Sequence, residues 1–395
     1  MKNVLFLLIL CGLALQGFPI VPGYYGARSL SLGYSSTAFN YDINAIYINP
    51  SLLSSLSYSL SGYQYQNSYL EYKNFAEDLS NVLAYDLENF ESLGDSEKSA
   101  LFSTLTDLFQ SKAGMYGFRA NVPGYISRGY GFAVSFVNTT VVNPVNADAE
   151  NNIFNKDIGD ITNEDIAALK MNFLGLSYKK MSLSYAMQIY RSVSFGITLH
   201  YLTGKISDFN GSLLGDIFTT GAESKDYLEY GWENAKAEGS KFSKIVSDLG
   251  INVNLGRYFN VGLVYRNFGG AKIKAPERNI ALPKRVTAGL AFRPDNQWGF
   301  YLDMDVKPVE LLYNGEEMQP FSFGIEKGFF KNKFFVRAGM LSDLTEKHFF
   351  GKKSNVLYGM GLGFNMKKIN VDVAVGIDND GTVKNLAISG FFLLK

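Results

Sequence analysis

Apolar and polar side chains alternate along many segments of this chain, and the connections between those segments are by turns very short and very long. No other feature constrains the fold as much. Over 193–203, Val193, Phe195, Ile197, Leu199 and Tyr201 share one face, while Ser194, Gly196, Thr198 and His200 share the other. The same period runs through 297–306, 356–366 and 369–377. A period of two marks extended strands, whose successive side chains point to opposite faces. A soluble sandwich and a membrane barrel both produce it. Loop lengths separate the two. Arg191–Ser192, Gly256–Arg257, Pro294–Asn296, Lys331–Asn332 and Lys367–Lys368 are tight turns, whereas 67–112, 139–168, 204–244, 268–283, 308–319 and 342–355 are long. Strict alternation of short and long collects all tight turns at one end of an up-and-down barrel and all long loops at the other.

Keeping that order requires 169–190 to be one long strand rather than a hairpin turning at Lys179–Lys180. The strands then fall at 57–66, 113–121, 129–138, 169–190, 193–203, 245–255, 257–267, 284–293, 297–307, 320–329, 333–341, 356–366, 369–377 and 385–394. They number about fourteen, an even count that leaves both termini on the periplasmic side and the long loops outside. The expected fold is all-β: a transmembrane antiparallel up-and-down barrel.

Other features agree. Residues 1–17 read as a secretory signal, with Lys2 as the charged start and Val4 to Leu10 as the apolar core. After it, no run of about 18 apolar residues offers a membrane-crossing helix. Cys11, the only cysteine, lies in that leader, so a disulfide framework and cysteine-based zinc sites are not expected. With 37 basic and 37 acidic residues the net charge is zero, which gives no electrostatic case for nucleic acid. The 25 Tyr, 31 Phe and 39 Gly suit strands whose outer face meets lipid.

Enzymatic motifs are not evident. Gly-x-Ser-x-Gly does not occur, and Gly359, Gly361 and Gly363 form a glycine row on one strand face rather than a phosphate cradle. A hydrolase built on His200 lacks a recognisable nucleophile motif. Asp378–Gly381 reads as a hairpin turn, and the acidic run from Asp148 to Asp165 as a solvated loop. No enzyme activity, cofactor or metal is expected.

The alternation sends Arg119, His200, Arg266, Arg285, Asp303, Asp305, Glu326, Arg337 and Asp372 into the lumen. An Arg or Lys facing lipid at mid-membrane would cost about 2–4 kcal/mol. Both signs are present, so the lumen is either a salt-bridged interior that stiffens the wall or a selective polar pore. Helical patterns recur in the long loops: 75–90, 95–109 with Asp95 as its cap, a capping box at Thr162–Asp165, and 224–237. Phe75, Leu79, Leu83, Leu101, Leu105, Phe109, Tyr227 and Trp232 are candidates for capturing a hydrophobic ligand. The alternative is that they only pack the loop helices together.

One stretch between leader and first strand remains. Gly26-Ala27-Arg28-Ser29-Leu30-Ser31-Leu32-Gly33 is followed by Asp42-x-x-Ala45 and by Asn49-Pro50-Ser51-x-Leu53. It is too short for a domain and too apolar for a free tail, which suggests a plug. These residues resemble the N-terminal hatch of the FadL/OmpP1/TodX long-chain fatty acid transporter superfamily, and especially its PorV-like and uncharacterised members. Ser29 and Ser51 stand where that pattern usually has alanine. The resemblance implies a fourteen-stranded outer membrane barrel (57–395) filled by a hatch (18–56), with Gly26, Ala27, Arg28, Gly33, Asp42, Ala45, Asn49 and Pro50 as its signature positions. It also implies uptake of fatty acids or other hydrophobic small molecules, and insertion by the barrel assembly machinery into outer membrane lipid. PorV-like members instead serve as partners of secretion-system proteins, so that alternative stays open, as does a plain porin. The chain ends Phe391-Phe392-Leu393-Leu394-Lys395, not on the terminal aromatic usual in such barrels, and Phe392 is the candidate substitute.

Overall fold

The computed structural model describes residues 26–71, 81–82, 84–85, 87–111, 114–145, 153–212, 233, 239–276, 279–310, 317–345, 356–366, 368–379 and 383–394. Among them, fourteen antiparallel strands close a barrel. They are β1 Ser59–Glu71, β2 Gly114–Ser127, β3 Tyr130–Val145, β4 Lys170–Tyr190, β5 Val193–Ser212, β6 Ser240–Leu255 and β7 Phe259–Phe268. After the small hairpin β8 Ala271–Lys274 and β9 Asn279–Leu282 come β10 Arg285–Phe292 and β11 Trp298–Asp305. After a second, β12 Val309–Glu310 and β13 Glu317–Met318, follow β14 Pro320–Phe329, β15 Phe334–Asp343, β16 Leu357–Met366, β17 Ile369–Ile377 and β18 Val383–Leu394. β1 pairs with β18 and completes the ring, which leaves no open edge.

The polarity of the wall is reversed relative to a soluble sandwich. Leu183, Ile245 and Met360 are 62%, 70% and 50% exposed on the outer face, while charged residues on the opposite face of the same ladders are buried. Water-soluble sheets do not expose such a belt; lipid supplies its solvent.

β4 is a single strand of 21 residues, and its pairing with β5 is continuous from Lys170↔Ser212 to Gln188↔Ser194. Several strands run further toward the long-loop end than their apolar alternation: β1 to Glu71, β3 to Val145, β5 to Ser212, while β6 begins at Ser240. About 9–11 residues cross the apolar layer, so these strands stand above it. Continued pairing satisfies backbone N–H and C=O groups along the shared edges there, and the outward residues turn polar, as at Ser177, Lys179, Thr203 and Lys241.

A loop layer covers part of that end. Helix Asp95–Ser111 begins at Asp95 itself, so Asp95 sits in the first turn rather than at the cap; Glu97 reaches back to the Gly94 N–H at 3.1 Å. In the helix Asn163–Ala167 the Thr162 hydroxyl accepts the Asp165 N–H, and the Asp165 carboxylate accepts the Thr162 N–H at 3.0 Å. Leu101 and Leu105 are buried in one apolar cluster with Val82, Phe90, Ile166 and Phe173. Phe75, Leu79, Leu83, Tyr227 and Trp232, and the side chain of Phe109, lie outside the described residues.

Candidate functional site: the lumen and the segment within it

Residues 26–56 touch the inner wall on almost every side. Gly26 N–H donates to Gln66 of β1 and Ala27 N–H to Ser389 of β18. Ser36 and Thr37 N–H both donate to Asp303 Oδ2 of β11, at 2.9 and 2.8 Å. Arg266 of β7 donates to the Ile48 carbonyl, and Thr198 of β5 to the Ile46 carbonyl. An irregular chain has many backbone groups that no ladder satisfies, and in a lipid-bounded lumen the wall must supply their partners.

Local sequence shapes the segment. Helix Ala27–Ser31 follows Gly26 at φ +91° and closes through Gly33 at φ +61°, with Tyr34 N–H bonded to the Ser29 carbonyl at 2.6 Å. That is a glycine-terminated helix end, where a left-handed residue is required. Asp42 accepts the Asn44 N–H at 2.7 Å and so turns the chain into helix Ala45–Ile48. Asn49 then works in two directions. Its Oδ1 accepts the Ser51 N–H and hydroxyl, capping the 3₁₀ turn Pro50–Ser55, while its amide donates to the Thr37 and Ile251 carbonyls. Pro50 stands at the first helical position, where its missing N–H costs nothing.

The wall admits this close approach through glycine. A Cβ on Gly196 would overlap the Pro50–Ser51 backbone, one on Gly250 would overlap Asn49, and one on Gly262 would overlap Thr37. Across the barrel, Gly324 and Gly339 abut Leu32, and Gly359 abuts the Leu30 carbonyl. Several of these glycines oppose one another directly: Gly196↔Gly250, Gly262↔Gly289, Gly324↔Gly339 and Gly339↔Gly359. In the row at 359–363, Gly359 and Gly361 are thus contact surface for the segment, while Gly363 makes room for Asp372 and Arg337. This belt was missed in the sequence; the only signal was that each glycine falls on an inward-facing position.

Three further groups of charged side chains meet the segment. In the first, Glu326 receives Arg337 Nε at 2.6 Å, Arg28 Nε at 3.3 Å and the Tyr301 hydroxyl at 3.0 Å. Arg337 also donates to Asp372 at 2.6 Å and to the Tyr41 hydroxyl. The Arg28 guanidinium lies 4.5 Å from the Tyr41 ring centre and 5.2 Å from that of Tyr301. Two cations and two anions balance in a buried space, as buried charge requires. In the second, Arg285 pairs with Asp305, and Thr287 links Asp305 to Arg266. In the third, His200 lies between Ser182, 2.8 Å from Nδ1, and Asp248, 3.0 Å from Nε2. The Tyr47 ring of the segment stacks on the imidazole at 6.3 Å. Arg119 is buried on β2, opposite Gln66.

Serine, histidine and aspartate in a row invite an acyl-transfer reading. Ser182, His200 and Asp248 are 1%, 0% and 3% exposed, however, and Tyr47 covers the ring. The arrangement seats the segment and offers no entry to a substrate. Ser182 and Asp248 were not among the sequence candidates, because their meeting with His200 depends on the register of three strands.

Toward the long-loop end the inner wall changes character. Leu174 and Leu176 of β4, Leu202 and Ile206 of β5, and Phe242 and Val246 of β6 join Leu30 and Tyr34 of the segment in one buried apolar cluster. Ile273 and Ile280 of the β8–β9 hairpin fold into it. A polar, hydrogen-bonded zone around the segment therefore gives way to an apolar zone between it and the loops.

No protein-family model and no curated protein matches the sequence. Among solved structures, a CymD monoaromatic hydrocarbon channel aligns with TM-score 0.55 and 11% identity, over 95% of this chain and 99% of that one. A Pseudomonas aeruginosa FadL homologue aligns at 0.52 and 12%, over 95% and 99%. The Ralstonia pickettii toluene transporter TbuX aligns at 0.51 and 12%, over 95% and 100%. The chain thus has the fold of the FadL/TodX-type channels.

Proposed function

We propose that the protein is an outer membrane channel that takes up hydrophobic small molecules, of the fatty acid or aromatic hydrocarbon class, past an N-terminal hatch. The observation that carries this reading is the apolar zone formed by Leu174, Leu176, Leu202, Ile206, Phe242 and Val246 directly above the segment. A pore for polar solutes has no use for such a lining, whereas a greasy compound leaving water gains about 25 cal/mol per Å² of apolar surface it buries. The fold shared with hydrocarbon channels supports the same reading.

In this view residues 18–56 are the hatch, both termini are periplasmic and the long loops face outward. Phe392, exposed on the outer face of β18, serves as the terminal signal for the barrel assembly machinery. The inward charges hold the hatch rather than select ions. Leu101 and Leu105 pack the loop layer, so capture of ligand falls to the outer rim of the apolar zone.

Uptake by proteoliposomes tests the proposal. Vesicles holding the full chain should take up a labelled long-chain fatty acid or toluene faster than empty vesicles, and show no steady conductance. Equal uptake with and without the protein would defeat it. Co-purification of a secreted protein complex with a lipid-free barrel would favour the secretion-partner role instead.

A further inference from the structure

We infer that the tight-turn end of the barrel is a ring that binds phospholipids of net negative charge, whichever compound the lumen carries. The six tight turns, 127–130, 190–193, 255–259, 292–298, 329–334 and 366–369, hold eight cationic residues and one carboxylate. The whole chain is neutral, so charge has been separated between the two ends. The loop stretches 67–112 and 139–168 hold 15 acidic residues against 4 basic ones.

Arg128, Arg191, Arg257, Lys331, Lys333 and Lys368 are all exposed. Among the described residues, none of these six is ion-paired with a carboxylate. Asp295, the acidic turn residue, is folded back: its Oδ1 accepts the Gln297 and Trp298 N–H at 2.6 and 2.7 Å. Arg293 lies over the Phe39 ring of the N-terminal segment at 4.2 Å and is committed there. Like charges set around a ring raise one another's energy, and a counter-charge from outside the chain relieves it.

The neighbours of these cations place them at a membrane surface. Exposed Tyr130, Tyr190 and Tyr258 lie within two residues of Arg128, Arg191 and Arg257, and exposed Phe330 and Ile369 adjoin Lys331 and Lys368. Tyrosine, apolar in body and polar at its tip, settles at the level of lipid head groups. One or two residues of extended chain span about 3–7 Å, which sets the cations among the phosphates. A zwitterionic head group brings its own cation, whereas an anionic one does not. Distribution names the occupant. The six lie in the turns that join β2 to β3, β4 to β5, β6 to β7, β14 to β15 and β16 to β17, so they are spread around the ring. A soluble acidic partner would need them gathered on one arc; lipid meets every strand.

Trp298 supplies the reporter. It shares the outer face of β11 with Phe300, since Gly299 and Tyr301 between and beyond them are buried. It also adjoins the turn at 331–333, whose Asn332 donates to the Asn296 carbonyl. The other tryptophan of the chain is Trp232, so the full chain carrying Trp232→Phe reports from the tight-turn end alone. In phosphatidylcholine vesicles, quenching of Trp298 by brominated phosphatidylglycerol and by brominated phosphatidylcholine gives the relative association of each lipid. Phosphatidylglycerol should associate about fivefold more strongly, the gain from one cation at an anionic leaflet. Arg257→Gln/Lys331→Gln/Lys333→Gln should remove that preference, and so should 1 M salt, where the Debye length is about 3 Å. Lys241→Gln/Lys272→Gln/Lys274→Gln, which removes equal charge at the long-loop end, should keep it. Heat-modifiable gel mobility reports that each variant is folded. Equal association of the two lipids with the unaltered ring, an undiminished preference in the turn variant, or equal loss in the loop-end variant would each overturn the lipid ring. Displacement of phosphatidylglycerol by soluble glycerol phosphate at equal concentration would overturn it too, by naming a soluble anion as the occupant. None of these readouts depends on uptake through the lumen.

Discussion

Arg28 and Glu326 are 298 residues apart in sequence and joined side chain to side chain, Nε to Oε2 at 3.3 Å, with both groups buried. This contact fixes the first helix of the N-terminal segment to β14. Because Arg337 is shared between Glu326 and Asp372, removing Arg28 leaves two carboxylates to one cation in a closed space. Breaking one partner of a buried pair typically costs about 3–5 kcal/mol. Arg28→Ala should therefore loosen the segment while leaving the barrel ladder intact. The expected result is a folded, heat-modifiable barrel whose N-terminal segment becomes sensitive to protease and which leaks small solutes. A protease pattern like that of the unaltered protein would show that Arg28 does not anchor the segment.

Glycine pairs permit the seating that such charges stabilise. Gly250→Val places atoms where Asn49 and Pro50 now lie, and overpacking of this kind costs about 1–3 kcal/mol. Displacement of Asn49 would also release the Thr37 and Ile251 carbonyls. The variant should admit small hydrophilic antibiotics to cells that otherwise exclude them. Gly390→Ala is the control, since a Cβ there meets nothing within 4 Å. Equal antibiotic sensitivity in the two variants would remove the case for a steric fit.

The Ser182–His200–Asp248 row gives a third expectation, which separates support from catalysis. Asp248 accepts from His200 and, through its other oxygen, from the Asn267 N–H at 2.9 Å. Asp248→Ala leaves both without that partner, at about 1–3 kcal/mol each. Thermal unfolding should shift down, and Ser182→Ala should do so less. Neither variant should alter hydrolysis of a short-chain nitrophenyl ester, because the purified protein should have none. Ser182-dependent ester hydrolysis would contradict the supporting role.

How much of this was legible in the sequence depends on what each feature needs. The inward placement of Arg337 and Asp303 follows from parity alone, since their neighbours Val336 and Ala338, Leu302 and Met304 are apolar and a charge avoids lipid. Loop parity likewise gives the strand number, and makes 169–190 one strand. Partners are different. Whether Arg337 lies opposite Glu326, Gly324 or Gly328 depends on the register of β14 and β15, which the alternation leaves free by steps of two. Gly196 and Gly250 are visible as inward glycines, yet their purpose appears only once Asn49–Ser51 is seated against them. In the loops, the stripe containing Leu101 and Leu105 predicts a helix but not what covers it. Its cover is Phe90, Ile166 and Phe173, from three separate stretches of chain.

The last expectation concerns pH. Burial pushes the Asp42 carboxyl up to about 6 against its ordinary 3.8, only partly opposed by the Arg28 guanidinium and by the Asn44 N–H; Asp372 pushes it the same way as burial. A carboxyl whose value is raised by folding binds its proton more tightly in the seated segment than in the released one. Its contribution to seating is fully present below about pH 4, is lost as pH rises from there through about 6, and is flat above that. At about 1.36 kcal/mol per unit, the change is on the order of 3 kcal/mol. Asp42→Asn is isosteric, stays neutral, and should abolish this slope while leaving other titrations in place. Hydrogen exchange of the Asn44–Asn49 amides at pH 4, 5, 6 and 7, corrected for the intrinsic rate, reads the difference directly. Protection should decline across that range in the unaltered protein and stay more nearly level in Asp42→Asn. Parallel profiles for the two proteins would show that Asp42 does not titrate against the seating of the segment.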